Sequence, residues 1–414
     1  MTIAAHTLGC KLNYAETSDL LRRLKSRGHT VVEWGERADL YIVNTCTVTA
    51  VAEKKCRNAI SQAHRLNPDA QVAVVGCFAQ VAADALLSMP GVTMVLGNDR
   101  KHMLPEILDN SLPNSIPQGF QLQHSSGDRT RTFFKIQDGC DYFCTYCAIP
   151  FARGRSHSAT VAETLQEARR IADEGAAEVV LTGVNTGTFG QQHGETLLDL
   201  LRGLDAIEGI KRYRISSIEP NLITDEIIDF TAASRAFLPH FHVPLQAASD
   251  HVLQLMRRRY TTDLFRHKVE RIKAVMPDAC IATDVMAGFN GESEEEFAKA
   301  LGFIESLPVS YLHVFTYSDR PGTAALRLPE KVPVAARREH TARLLQLSDR
   351  KHRAFIESQL GKVRPVLWEG SNHNGAMQGW TDNYIRVQRP YDEARVGLTE
   401  QVMLAAENVL RLDE

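Results

Sequence analysis

A chain of 414 residues, 44% of them hydrophobic, is long enough for two or three domains with cores of their own. Met1–Cys10 lacks a basic stretch followed by an apolar run, and no segment approaches the ~18 uninterrupted apolar residues of a membrane helix. The expectation is a soluble cytoplasmic protein with no membrane attachment, and its eight cysteines read as metal ligands or redox groups rather than a secreted disulfide framework.

In chain order, the apolar runs Ile3–Leu8, Leu40–Val43 and Val72–Val75 predict buried parallel strands. Helical patterns lie between them: Glu16–Ser26, stopped by Gly28, and Val51–His64. This is the rhythm of an α/β doubly wound parallel sheet, assigned to residues 1–110. Residues 111–131, with Pro113, Pro117, Gly119 and Ser125–Gly127, read as a linker. Over 132–359, strands are predicted at Phe133–Ile136, Glu178–Thr182, Tyr213–Ser216, His240–Val243, Ile281–Val285 and Tyr311–Thr316. Helices such as Thr160–Glu174, Thr196–Ile207 and Ser293–Leu307 separate them, which predicts a partial (β/α)6 barrel. A long helix, Val334–Gln359, follows. Residues 360–414 break into short runs (Val363–Trp368, Tyr384–Val387, Val402–Leu404) and read as a small all-β domain.

Cys140, Cys144 and Cys147 form C-x3-C-x2-C just after a predicted strand. Three thiolates on one loop can hold three irons of a [4Fe–4S] cluster and leave the fourth open, whereas a structural zinc site wants four ligands. Cys10, Cys46 and Cys77 each follow a predicted parallel strand. The carboxyl ends of such strands share one edge, so three distant thiols meet there, which favours a second cluster over three small apolar fillers. Cys56 and Cys280 read as packing residues.

CDYFCTYC resembles the cluster loop of the radical S-adenosylmethionine (SAM) superfamily, and two triads in this order resemble its methylthiotransferase family over essentially the whole chain. Further similar strings are RGRS at Arg153–Ser156, LTGVN at Leu181–Asn185, RISSIEP at Arg214–Pro220 and HVPLQAASDHVLQLMRRRY at His242–Tyr260. TDVMAGFNGESEEEF at Thr283–Phe297 departs from the family in having Asn290 where proline is usual. The resemblance implies two [4Fe–4S] clusters and two SAM molecules per turnover. One methylates a cluster-bound sulfur; the other is cleaved to a radical that activates the substrate carbon. It also implies a C-terminal domain like the RNA-binding TRAM domains.

Residues at predicted strand ends become candidates for holding SAM: Gly183, Ser216, Ser217, Glu219, Gln246 and Asp284, with Tyr146 from the cluster loop. Glu219 and Asp284 are alternatively ion-pair partners of Arg153 or Arg155. Arg153, Arg155, Arg257, Arg258, Arg337 and Arg338 are candidates for the RNA backbone, the last two from the basic stretch Lys331–Phe355. Trp380, Tyr384 and Arg386 could stack on a loop base or form the β-domain core. That domain carries six Lys/Arg against eight Asp/Glu, so it is no electrostatic phosphate trap.

LGCKLNYAE and NTCTVTAVAEKK most resemble the branch acting on N6-threonylcarbamoyladenosine 37 in the tRNA anticodon loop. Methylthiotransferases for isopentenyladenosine or a ribosomal protein, and a zinc-binding non-catalytic RNA protein, are the alternatives. A flavodoxin or ferredoxin as electron donor and a monomeric state complete the expectation.

Overall fold

A computed structural model describes residues 1–111, 119–127 and 129–411. The first hundred residues form a parallel sheet of β1 (Thr2–Thr7), β2 (Thr30–Val32), β3 (Leu40–Thr45), β4 (Gln71–Gly76) and β5 (Val92–Leu96), in the order β2-β1-β3-β4-β5. Helices bury both faces, which is why β3 reads as an unbroken apolar run. Tyr41 and Val43 pack beneath Ile60 and Ala63 of α2 (Ala50–Leu66), while Leu40 and Ile42 pack against Leu20 and Leu24 of α1 (Lys11–Ser26). The helix expected from Glu16 thus starts five residues earlier, with Cys10 as its N-cap. Cys56 belongs to the first of these cores, as expected.

The short strand β6 (Gln123–His124) pairs antiparallel with β7 (Arg131–Lys135), so the end of the expected linker belongs to a sheet. Its polar sequence hid it. His124 is buried because Glu167 and Glu174 flank its ring at 3.0 and 3.1 Å. Residues 112–118 and 128 of the expected linker lie outside the described residues.

After a short antiparallel pair, β8 (Gln137–Asp138) with β9 (His157–Ser158), which closes off the loop carrying Cys140, Cys144 and Cys147, come the other barrel strands. These are β10 (Glu178–Thr182), β11 (Tyr213–Ile215), β12 (His240–His242), β13 (Cys280–Ala287) and β14 (Tyr311–Thr316). With β7 they run parallel in two arcs, β11-β10-β7 (with antiparallel β6 at its edge) and β12-β13-β14. The arcs are linked where Tyr213 bridges to Phe237 and the Ile218 N–H donates to the His242 carbonyl at 3.1 Å. The result is the six-stranded partial barrel that the alternation predicts. Thr160 and Thr196 open helices of its outer layer with capping boxes to Glu163 and Asp199, each worth about 1 kcal/mol.

The C-terminal sheet is antiparallel: β15 (Val363–His373), β16 (Ala376–Thr381), β17 (Arg386–Pro390) and β18 (Thr399–Met403), in the order β17-β16-β15-β18. It seats on the amino ends of the barrel strands, sharing one core of Cys280, Ala282 and Tyr311 with Val366, Trp368 and Ile385. Cys280 is therefore a packing residue, as expected. Beside that core Glu178, fully buried, accepts from Arg212 at 2.9 Å and Arg214 at 2.8 Å. The two guanidinium groups go on to donate to the carbonyls of Trp380, Thr381 and Asp382.

Burial works against the charged form of Glu178, but Arg214 and Arg212 outweigh it and hold its carboxyl below the ordinary 4.5. A carboxylate with a depressed folded value contributes stability that is fully present above about pH 4.5 and lost as pH falls below it. Glu178→Gln, which leaves two buried guanidinium groups short of a counter-charge, should weaken the docking of this sheet by about 3 kcal/mol at pH 7. Of the three tryptophans, Trp368 and Trp380 sit in this sheet and Trp34 does not. In a Trp34→Phe background, urea titration followed by fluorescence reads the change. An unmoved midpoint counts against the assignment.

Among the described residues no helix is long and apolar enough to cross a membrane.

Candidate active site

Cys10 follows β1, Cys46 follows β3 and Cys77 follows β4, three adjacent strands, so the thiols share the carboxyl edge of the first sheet. The turns that aim them are tight. Gly9 has φ +104°, and a Cβ there would lie 2.8 Å from Cys46 Cβ and 3.0 Å from its Sγ. Only glycine lets the Cys10 turn come so close to Cys46. Cys56, from α2, holds the Cys46 backbone through its sulfur, 3.4 Å from N and 3.5 Å from O.

The second triad lies on the loop after β8. A Cβ on Gly139 (φ +68°) would stand 2.0 Å from the Arg155 carbonyl, so the loop closes on itself just before Cys140. Phe143, inside the loop, holds φ +49°, a conformation uncommon for a bulky residue. The Thr145 N–H donates to the Met256 carbonyl at 3.1 Å, and Arg258 Nη1 lies 3.1 Å from Cys144 Sγ. Burial pushes the Cys46 thiol up to about 12, Cys140 to about 11 and Cys147 to about 12, and it raises Cys10 as well. Such thiols stay protonated in neutral water unless a soft metal takes the proton's place. Two sets of three soft donors on close-turned loops thus fit iron–sulfur clusters.

A buried ion network joins the two triads. Glu16 of α1 accepts from Lys101, from Lys135 at 2.9 Å and from Arg153 at 3.2 Å, and Asp138 takes Arg153 at 2.8 Å and Lys135 at 2.9 Å. Asn98 bridges Lys101 (2.6 Å) to the Ala152 carbonyl (2.7 Å) and reaches Cys77 Sγ at 3.5 Å. Three cations face two carboxylates. Burial works against the charge of Arg153, but Asp138 and Glu16 outweigh it and hold its proton more tightly than usual. Because this network ties α1 to the loop after β8, it fixes one triad relative to the other.

Inside the barrel is a cavity of about 560 Å³. Gly9, Cys10 and Lys11 form its rim from the first sheet, and Tyr384 reaches it from the C-terminal sheet. The wall carries Gly183, Ser216, Ser217 and Asp284, four of the residues expected to hold SAM. Asp284 accepts from His242 Nε2 at 2.9 Å, and His242 Nδ1 meets Ser217 Oγ at 2.6 Å. Glu219 is paired with Arg258, and Tyr146 Oη lies 3.5 Å from the same guanidinium. Neither Glu219 nor Asp284 meets Arg153 or Arg155, so the alternative of those ion pairs is excluded. Gln246 does not line the cavity; its backbone, at φ +62°, bridges to Val285.

Comparison with known proteins follows the same division of the chain. Residues 2–97 match an uncharacterized protein family, UPF0004, and residues 134–304 match the radical SAM superfamily. A threonylcarbamoyladenosine tRNA methylthiotransferase of Bacillus subtilis is 36% identical over 97% of this chain and 93% of its own. The Thermotoga maritima protein of that name is 35% identical over 93% and 90%. The chain belongs to the radical SAM methylthiotransferase family.

A tRNA-2-methylthio-N(6)-dimethylallyladenosine synthase of Nitratidesulfovibrio vulgaris, another methylthiotransferase, is 34% identical over 91% of this chain and 88% of its own. Among solved structures, the radical SAM methyltransferase TsrM of Kitasatospora setae shares the fold, with TM-score 0.55 and 16% identity over 76% of this chain and 74% of that one. As a methylthiotransferase the chain uses two [4Fe–4S] clusters and SAM, and the donor sets described above fit both clusters.

Three of the arginines expected on RNA do not face solvent in this methylthiotransferase. Arg153 is the hub of the ion network, and Arg258 is held by Glu219 and Cys144. Arg337 donates to the Val332 carbonyl at 2.9 Å and to Asn290 Oδ1 at 3.2 Å. Asn290, the residue that departs from the family pattern, also donates to the Ala325 carbonyl at 3.0 Å and so anchors Arg337. Arg155, Arg257 and Arg338 are exposed. Trp380 and Tyr384 stack on each other at 4.4 Å, with His240 beyond Tyr384 at 4.2 Å, so both rings are already occupied within the fold. Arg386 donates to the Arg411 carbonyl.

Lys11, Arg131, Arg214, His240, His242 and His313 line the cavity and were not singled out from sequence. Their signal was present. His240/His242 and Tyr311/His313 alternate at period two within strands correctly delimited, so they share the inward face.

Proposed function

We propose that this enzyme places a methylthio group on C2 of N6-threonylcarbamoyladenosine at position 37 of tRNA, entering through the anticodon loop. The observation that carries the reading is that Cys10 of one triad and the strand ends expected to hold SAM open onto a single cavity. With clusters and SAM bound, the two triads supply sulfur transfer and radical formation. The chain's own residues supply the positioning. Arg258 braces both Cys144 and Glu219, so the loop and the β11 strand end move together. Ser217, His242 and Asp284 form a hydrogen-bonded row on the wall, suited to the ribose hydroxyls or amino group of SAM. The exposed Arg155, Arg257 and Arg338 are the arginines left to meet phosphates. An outside reductant such as a flavodoxin or ferredoxin delivers the electrons, and the working unit is a monomer.

Mass spectrometry of tRNA nucleosides from a host lacking the gene, with and without its restoration, tests this. The threonylcarbamoyl nucleoside should gain the mass of a methylthio group only when the gene is present. A gain on the isopentenyl nucleoside instead would move the protein to the other branch. No change in any nucleoside would remove tRNA as the substrate.

A further inference from the structure

Of the cations lining the cavity, one has no carboxylate partner among the described residues. Arg131 pairs with Glu369 at 2.9 Å, Arg214 with Glu178 at 2.8 Å, and His242 with Asp284 at 2.9 Å. Lys11, on the rim beside Cys10, makes no ion pair or hydrogen bond among the described residues. At the amino end of its strand His240 is buried with both ring nitrogens unpartnered, and at the carboxyl end of β10 the Thr182 hydroxyl is buried without a partner as well. Buried donors and acceptors without partners are uncommon in a folded protein, and a water or a ligand has to satisfy them. Burial alone would raise the Tyr384 hydroxyl, yet Lys11, Arg131 and Arg214 together hold it below its ordinary range. The floor of the cavity is therefore a region of positive potential.

We propose that Lys11 and His240 form a subsite for a carboxylate, the one carried by the threonylcarbamoyl substituent on N6 of the substrate adenosine. The inference rests on the reading above of which nucleoside is bound. In an adenine whose C2 edge faces the triads, the C6–N6 bond diverges from the C2–H bond as meta substituents of one ring do, so the substituent runs along the cavity wall from the Lys11 rim toward His240. Lys11 meets the carboxylate as an ion pair, and the His240 N–H donates to it. An isopentenyl group has no polar atom, so in its place Lys11 and His240 would lose water and gain nothing, a strong basis for rejection.

The test is fluorescence anisotropy with labelled anticodon stem-loops and the cluster-loaded full chain. Three stem-loops differ only in the substituent: threonylcarbamoyl, its neutral carboxamide, and isopentenyl. The native enzyme should bind the acid about tenfold more tightly than the carboxamide. Lys11→Met should erase that ratio while leaving the carboxamide affinity unchanged, and Lys11→Arg should restore most of it. His240→Phe, which keeps a ring against Tyr384, should reduce the ratio several-fold. Iron content per chain, measured on each variant, separates this effect from loss of the neighbouring Cys10 ligand. Equal affinity for acid and carboxamide, both above isopentenyl, would overturn the carboxylate subsite and leave the nucleoside assignment standing. Failure to prefer the threonylcarbamoyl loop over the isopentenyl loop would overturn both. A ratio unmoved by Lys11→Met would remove Lys11 from the subsite.

Discussion

Protein carrying Cys144→Ala, reconstituted with iron and sulfide, should hold about four irons per chain where the native chain holds about eight, and should form no methylthiolated nucleoside. The physical basis is the donor set. Cys144 is buried on the loop after β8 with Arg258 on its sulfur, and no spare thiol stands near it: Cys56 lies in the α2 core and Cys280 under the C-terminal sheet. Cys10→Ala should likewise cost about four irons and all product, because Cys46 and Cys77 alone cannot hold the second cluster. The pair of variants is informative together. Each should retain the half that the other loses, since the triads sit on separate sheets. Cys280→Ala is the control and should keep about eight irons. If it loses half its iron, the assignment of ligands is wrong.

The second large effect concerns Glu16. Replacing it by alanine leaves Lys101, Lys135 and Arg153 buried around Asp138 alone. Removing one partner from a buried ion pair costs about 3–5 kcal/mol, because the surviving charge remains desolvated. Here three cations are affected, which puts the loss at the upper end of that range. The cost falls on the junction between α1 and the barrel. Calorimetry of the metal-free protein should therefore show an earlier first transition, and limited proteolysis should open the segment between the first sheet and β7 before any other. Glu16→Gln keeps hydrogen-bonding atoms and should fall between. A Glu16→Ala protein that melts and digests like the native chain would mean that the network contributes nothing net.

Much of this architecture is readable from one chain because its signals are local. Runs such as Leu40–Val43 and Glu178–Thr182 announce strands buried on both faces, and a cysteine after each strand marks an edge. What the sequence conceals is either short or distant. Thr30–Val32 and Val92–Leu96 are edge strands of the first sheet, only partly buried, so they lack the long apolar run. Strand Ala376–Thr381 is broken to the eye by Gly379, which points inward because a Cβ there would lie 2.6 Å from Val366 Cγ1. Arg153 looked like a phosphate ligand because its partner Glu16 lies 137 positions away. A surface arginine and a buried one have the same letter, and only the tertiary fold separates them. The same is true of Trp380 and Tyr384, whose stacking partners include a histidine from the far strand His240–His242.

The seating of the C-terminal sheet has one more consequence. The axis of this partial barrel is not filled by side chains as that of an eight-stranded barrel is, and the cavity described above occupies it. Tyr384, backed by Trp380 and pinned by the Arg212–Glu178–Arg214 bridge, stops the lower end. The terminal sheet is in that sense less an arm for grasping a partner than the base of a vessel. A chain cut before it would still carry every cysteine of both triads, yet would be a pipe with water at either mouth.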